Sequence, residues 1–320
     1  MRTRHIPIFG LIAFSSSAWG QVFAPEKSFN EHLQIGLITE YVTGYEIDSS
    51  RTDGGYYANP TSRLEYRAHN VPWVGLSLPI SSGEKTKRLT VQSNLGVFES
   101  GHNTDEDWLT PAGVSFFGFD NGYQRTRSDL DRFFFVRAEL ESEPQATGPQ
   151  WGGTWSHQNL WSFEVTSSRA TSLLYEEAWI NAVQGSAVLK DEYVLGYDTF
   201  EFGRRHDIAY SKPLTGPWSW EARGGIGTAL LLGFDHHPQR ADLERRNSVV
   251  HLGLGPDIHA SIHLNYQQEG IDWSLGIGAN KRHHIGLSRF NFSDGSSGNS
   301  VLTEGIQQRQ SINLSVNARF

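Results

Sequence analysis

The strongest constraint on this chain is a two-residue alternation of apolar and polar side chains that returns along its length, with no apolar run of about 18 residues anywhere. In an extended strand, side chains at i and i+2 share a face, so alternation marks a sheet with one apolar and one wet surface. Leu33, Ile35, Leu37, Thr39, Tyr41 and Tyr45 fall opposite Gln34, Gly36, Glu40 and Gly44. Leu89, Val91, Leu95 and Val97 oppose Arg88, Thr90, Gln92 and Asn94. Trp161, Phe163 and Val165 oppose Ser162, Glu164 and Thr166, and Ile271, Trp273, Leu275 and Ile277 oppose Asp272, Ser274, Gly276 and Gly278. A helical membrane protein is excluded, because its spans need continuous apolar runs. A membrane β-barrel is compatible, because its lumen side chains dilute the lipid-facing ones. A secreted β-sandwich also alternates and is the competing architecture.

Both ends of the chain favour the barrel. Arg2 and Arg4, the apolar stretch 6–14 and Ala18-Trp19-Gly20 read as an export signal over 1–20, which leaves 21–320 as one domain. The last residues place Ile312, Leu314, Val316, Ala318 and Phe320 on one face, an ending similar to the closing strand of outer-membrane barrels. Long polar segments near 49–61, 101–127, 175–191, 235–247 and 286–304 alternate with short joins near 79–85, 212–217 and 267–270. The stretch 142–157, with Pro144, Gly148, Pro149, Gly152 and Gly153, fits neither kind. The spacing predicts an all-β transmembrane barrel of about ten antiparallel strands with its long loops outside the cell. Cysteine is absent, so no thiol nucleophile, disulfide or zinc-thiolate site is available, and a net charge of −8 argues against a nucleic-acid partner.

Two clusters at the long-loop side carry possible chemistry. Asp105-Glu106-Asp107-Trp108 follows the strand read over 88–100, and Asp105 and Asp107 point the same way in extended backbone. Two carboxylates that close can share a proton or orient a water. Asp235-His236-His237 follows a strand over 218–232, and a carboxylate two residues from an imidazole can fix its tautomer and strengthen it as a base. Taken singly, the acidic run reads first as solvated surface and the histidine pair as nothing or as incidental metal affinity. Together, each at the outer end of a strand, they would form a water-activating group facing a carboxylate pair.

In this order and spacing the residues resemble the omptin family of outer-membrane proteases over nearly the whole mature chain. The landmarks are 36–38 through Tyr45-Glu46-Ile47-Asp48, Ser62-Arg63-Leu64-Glu65-Tyr66, Asp105-Glu106-Asp107-Trp108, Leu195-Gly196-Tyr197, Asp235-His236-His237, and Gly305-Ile306 opening a strand that ends at Phe320. The resemblance implies a ten-stranded barrel with Asp105, Asp107, Asp235 and His237 as catalytic residues. In that scheme His237, oriented by Asp235, takes a proton from a water held against the Asp105/Asp107 pair, with no metal and no covalent intermediate. It also implies lipopolysaccharide on the barrel exterior as an activator. Arg169 is read either as one of those lipid contacts or as an ordinary interface cation. The expected partners are outer-membrane lipid and a peptide or protein substrate, for a monomeric chain.

One departure bears on specificity. Where characterised omptins place two acidic residues that hold a basic substrate side chain, this chain has Gly44 and Gly233, with Glu46 as a replacement on the same strand face. Losing a buried carboxylate partner weakens recognition of an arginine by about 2–5 kcal/mol. The enzyme reading therefore predicts altered cleavage preference, and a non-proteolytic adhesin or structural barrel is the alternative. A lipid deacylase drawing on His251, His259 and His263, and a pore, are weaker readings; the narrow lumen and side chains such as Arg88, Glu164 and Arg223 oppose the pore.

Overall fold

Repeated alternation gives strands whose apolar faces must all find an apolar environment, and the computed structural model shows how they do so. It describes residues 32–47, 62–82, 85–96, 101–108, 123–170, 172–178, 186–188, 195–237, 247–268, 271–292 and 300–319; the export signal expected over 1–20 lies outside these. The strands are β1 (His32–Ile47), β2 (Ser62–Ser82), β3 (Lys85–Asn94), β4 (Gly101–Trp108), β5 (Tyr123–Asp129), β6 (Arg132–Ser142), β7 (Gln145–Gln150) and β8 (Gly153–Ala170). They continue with β9 (Ser172–Ala178), β10 (Ser186–Val188), β11 (Leu195–Pro213), β12 (Trp218–His237), β13 (Asn247–Gln268), β14 (Ile271–Phe292) and β15 (Ser300–Arg319). Among the described residues there is no helix.

Ten of these strands close a ring in the order β1-β15-β14-β13-β12-β11-β8-β6-β3-β2, and β2 returns to β1 through the ladder His32↔Ser77 to Glu46↔Ser62. Every pairing is antiparallel, so the ring leaves no edge unpaired. Closure rules out the sandwich.

The two faces are inverted relative to a soluble protein. Ile35, Ile262, Ile277 and Ile312 each leave half or more of their surface exposed on the exterior, while Glu40, Glu164, Asp207 and Asp257 are fully buried inside. That is the pattern of a barrel solvated by lipid outside and filled by polar side chains within. The short turns are all at one end, where Trp218, Tyr266 and Trp273 pack with ring centroids 5.0–5.5 Å apart, and Trp155, Tyr210 and Trp220 continue the belt. Such amphipathic rings sit at a membrane–water boundary. The strand ends that flank the long connections lie at the opposite end; the connections themselves are largely outside the described residues.

The stretch 142–157 is not a loop. β7 and β8 form a hairpin there, joined by Trp151 and Gly152, both at positive φ (52° and 75°) as a tight two-residue turn requires. Pro149 is tolerated because β7 pairs only with β8 and has a free edge.

At the long-loop end the third, fourth and fifth spanning strands break and restart. β3 gives way to β4 past Gly96 (φ 81°), β5 meets β6 at Leu130-Asp131, and β8 ends at Ala170 with β9 starting at Ser172. Above the breaks a ladder β2–β4–β5–β9 continues the wall outward, so the segment 101–127, expected as loop, contains two strands.

Halfway along the lumen an apolar cluster (Ile38, Val42, Tyr66, Trp73, Phe133, Phe135) packs beside a network of ion pairs. Arg309 donates to Glu40 (2.6 Å), to Glu201 (2.6 Å) and to Glu164. Arg282 bonds Glu201 (2.6 Å) and Glu164 (3.0 Å), and Arg137 bonds Glu164 (2.9 Å). Arg205 bonds Asp207 (2.6 Å). Charges so far from water persist because each is paired and hydrogen-bonded. The network divides the lumen into an outer cleft and an inner cavity of about 320 Å³ that holds Arg88, Glu139, Glu141, Arg223, His259 and His263.

Candidate functional site

Asp105 reaches the lumen through the break in the third strand. Along β3 the even-numbered residues Thr90, Gln92 and Asn94 face inward. Unbroken alternation would send Asp105 to the lipid side. The interruption at 95–100 resets the parity, so that Asp105 stands opposite Leu64 of β2, which lines the outer cleft. Glu106 points the other way and forms an ion pair with Arg63, its register partner on β2. The acidic run thus divides: Glu106 clamps β4 to β2, and Asp105 is buried on the lumen side with 6% of its surface exposed. Asp107 is two residues further along β4, opposite Ser62 and Gln124; its side chain lies outside the described part.

Asp235 sits on β12 directly opposite Tyr197 of β11, is buried, and lines the same cleft. His237 is two residues further out on β12, opposite Asn247; its side chain and that of Glu46 lie outside the described part. Around the ring, β12 is separated from β3, whose line β4 continues, by β11, β8 and β6, so the two aspartates stand on well-separated walls. What joins them is a pair of tyrosines. Tyr66 of β2, one inward position below Leu64, meets Tyr197 with ring centroids 5.7 Å apart. Each aspartate is therefore within one register step of a contact that bridges the lumen and closes the bottom of the cleft.

The cleft is the smaller of the two spaces, about 30 Å³ against about 320 Å³ for the inner cavity, and it opens outward. Gly44 lines it, and a Cβ added there would meet only the Leu64 carbonyl, at 3.9 Å. Gly233 differs: a Cβ there would lie 2.9 Å from the Tyr197 hydroxyl, so the missing side chain is what lets Tyr197 lie flat. Of the two positions where the resemblance implies acidic residues, one is open and the other is filled by a tyrosine.

Further residues line the cleft without standing out in the sequence. His251 of β13 accepts or donates through Nδ1 to the Ser288 hydroxyl at 2.6 Å, and its ring lies 6.1 Å from that of Tyr197. His284 and Gln307 form a register pair on β14 and β15, and Gln307 also pairs with Gly44. Inward parity on β14 and β15 was the signal that could have identified them. Of the three histidines considered for a deacylase, His251 belongs to the outer cleft, while His259 and His263 line the inner cavity. No group of three potential metal ligands occurs among the described residues. On the exterior, Arg169 makes a two-pronged ion pair with Asp198 (2.7 and 2.8 Å).

The architecture is that of an outer-membrane β-barrel. It aligns with the outer membrane protease OmpT from Escherichia coli at a TM-score of 0.69 and 14% identity, over 92% of this chain and 99% of that one. The transport unit of the autotransporter AIDA-I from Escherichia coli aligns at 0.38 and 8% identity, over 93% and 92%. The translocator domain of the autotransporter NalP from Neisseria meningitidis aligns at 0.34 and 10% identity, over 90% and 88%. No protein-family model and no curated protein matches the sequence. At 14% identity the likeness to OmpT is one of fold.

Proposed function

We propose that this chain is an omptin-like endopeptidase of a Gram-negative outer membrane, with its cleft facing outward and acting on peptides or exposed proteins. The observation that carries the reading is the placement of Asp105 and Asp235, two buried carboxylates each one register step from the tyrosine contact at the bottom of one cleft. In this mechanism Asp235 holds His237 in one tautomer, and His237 removes a proton from a water that Asp105 and Asp107 orient. The water attacks the scissile carbonyl, and an aspartate in its protonated form steadies the developing oxyanion. Lipopolysaccharide bound near Arg169 and Asp198 acts as an activator by holding the outer wall in shape.

The test is cleavage of a diverse peptide library by refolded protein, with and without lipopolysaccharide, beside His237→Ala and Asp105→Ala. Cuts that disappear in both variants support the protease. The glycines at 44 and 233 favour the second reading, a non-proteolytic surface barrel, and a folded barrel that cuts nothing under any lipid condition would establish it.

A further inference from the structure

The floor of the outer cleft contains hydrogen-bonding groups that the fold leaves unused. Gln307 is 6% exposed, and neither its Oε1 nor its Nε2 has a partner. His284, beside it in register and 1% exposed, has no partner for Nδ1 or Nε2. Both line the cleft. Leaving a buried polar group unpaired is costly, so two such side chains together in one pocket wall point to something that bonds them.

We infer that this floor is a subsite for a carboxamide side chain, glutamine or asparagine, with Gln307 as the residue that pairs with it. The inference rests on the cleft taking peptides and adds the class of residue it selects. Charge excludes the simplest competitors. Asp235 is the one acid among the described cleft-lining residues and belongs to the proposed water-activating group, so a lysine or arginine finds no spare carboxylate among them. Among the described residues no lysine or arginine lines the cleft to receive an acidic side chain. An apolar side chain would exclude water from Gln307 and His284 and satisfy neither.

A carboxamide satisfies both. Two amides bond head to tail, each N–H donating to the other's carbonyl, which uses both ends of Gln307. The substrate's second N–H then reaches a ring nitrogen of His284. Room exists for this, because the neighbour of Gln307 on β1 is Gly44, with open space above it. One row further out, Gly253, Gly286 and Gly305 stand side by side on β13, β14 and β15, and this lets His284 and Ser288 pack close against the wall beside Gln307.

The experiment uses the refolded full chain and its Asp105→Asn variant with fluorescent peptides that differ at one central residue: Gln, Asn, Leu, Arg or Glu. Affinity is read by anisotropy on Asp105→Asn, and cleavage is followed separately on the wild type. The Gln and Asn peptides should bind about tenfold or more tighter than the Leu and Arg peptides. Gln307→Leu should abolish that difference, weakening the Gln and Asn peptides and tightening the Leu peptide, and Gln307→Glu should turn the preference toward Arg. Heat-modifiable migration on gels verifies folding of each variant, and Gln307→Met stands in if Gln307→Leu fails to fold. Arg or Leu peptides bound as tightly as Gln, a Gln preference that survives Gln307→Leu, or no binding by any peptide would each overturn the inference. Selective binding without any cleavage would keep it and remove the protease. Cleavage without carboxamide preference would do the reverse.

Discussion

Replacing Arg309 by methionine isolates what the lumenal charge network contributes. Arg309 bonds three carboxylates, but they do not depend on it equally. Without it, Glu201 keeps Arg282 at 2.6 Å, and Glu164 keeps Arg137 at 2.9 Å and Arg282 at 3.0 Å. Glu40 is fully buried and, among the described residues, has Arg309 as its one hydrogen-bonded guanidinium and no partner for Oε1. The loss therefore concentrates on Glu40. Removing one partner of a buried pair destabilises by about 3–5 kcal/mol, chiefly because the other charge is stranded. If that is the cause, Arg309→Met combined with Glu40→Leu should recover about 2 kcal/mol or more of the loss, because the stranded group is gone. Urea unfolding in phospholipid vesicles, followed by fluorescence of the chain's ten tryptophans, gives the stabilities by linear extrapolation. The double-mutant cycle supplies the coupling. Strictly additive losses, with no recovery in the double variant, would refute the argument that Glu40 is held by Arg309 alone.

Three further outcomes follow from the geometry. Gly44→Glu should fold with wild-type stability and move cleavage toward basic residues, whereas Gly233→Glu must displace Tyr197 and should lose about 1–3 kcal/mol, both checked by unfolding midpoint and library cleavage. Gly286→Ala should destabilise by about 1–3 kcal/mol, because its Cβ would strike the Leu252 carbonyl across the β13–β14 seam; Gly278→Ala, with its nearest neighbour at 3.4 Å, should be close to neutral in the same unfolding assay. Ile277→Arg should lose about 2–4 kcal/mol in vesicles, since Ile262, Leu275 and Leu314 surround it on the apolar exterior; an unchanged stability would show that this face is not in lipid.

Much of the barrel could be read from residues alone, and the reasons for the rest are local. Ile271–Gly278 alternates cleanly because β14 runs unbroken, with small residues on the lumen side. β2 does not: its inward residues are even-numbered at Tyr66 and Ala68 and odd-numbered at Val71 and Trp73. The switch occurs at Asn70, held in the left-handed region (φ 52°) with its N–H bonded to Thr39 Oγ1 at 3.2 Å. A bulge of one residue exchanges faces, and nothing in a two-residue pattern announces it. Inward parity also switches between Asn94 and Asp105, which decides that Asp105 faces the lumen, so the motif was visible in the sequence while its orientation was not. The β7–β8 hairpin was hidden by Pro149 and Gly152, which signal a loop and here serve an edge strand and a tight turn. Gln307 and His284 carry no motif. Their place beside Gly44 depends on how the last strand meets the first, a pairing between residues 263 positions apart (307 − 44).

That meeting has a consequence for how the molecule comes into being. Glu40 belongs to the first strand of the barrel and Arg309 to the last, and the two carboxylates that share Arg309 come from β8 and β11. An open sheet travelling into a bilayer would carry these charges without their counterparts, so a half-made barrel is penalised until the ends of the chain find each other. The ion pairs then act as a latch on the seam. Assembly should be all-or-none, with the first and last strands joining in the same event that neutralises the interior.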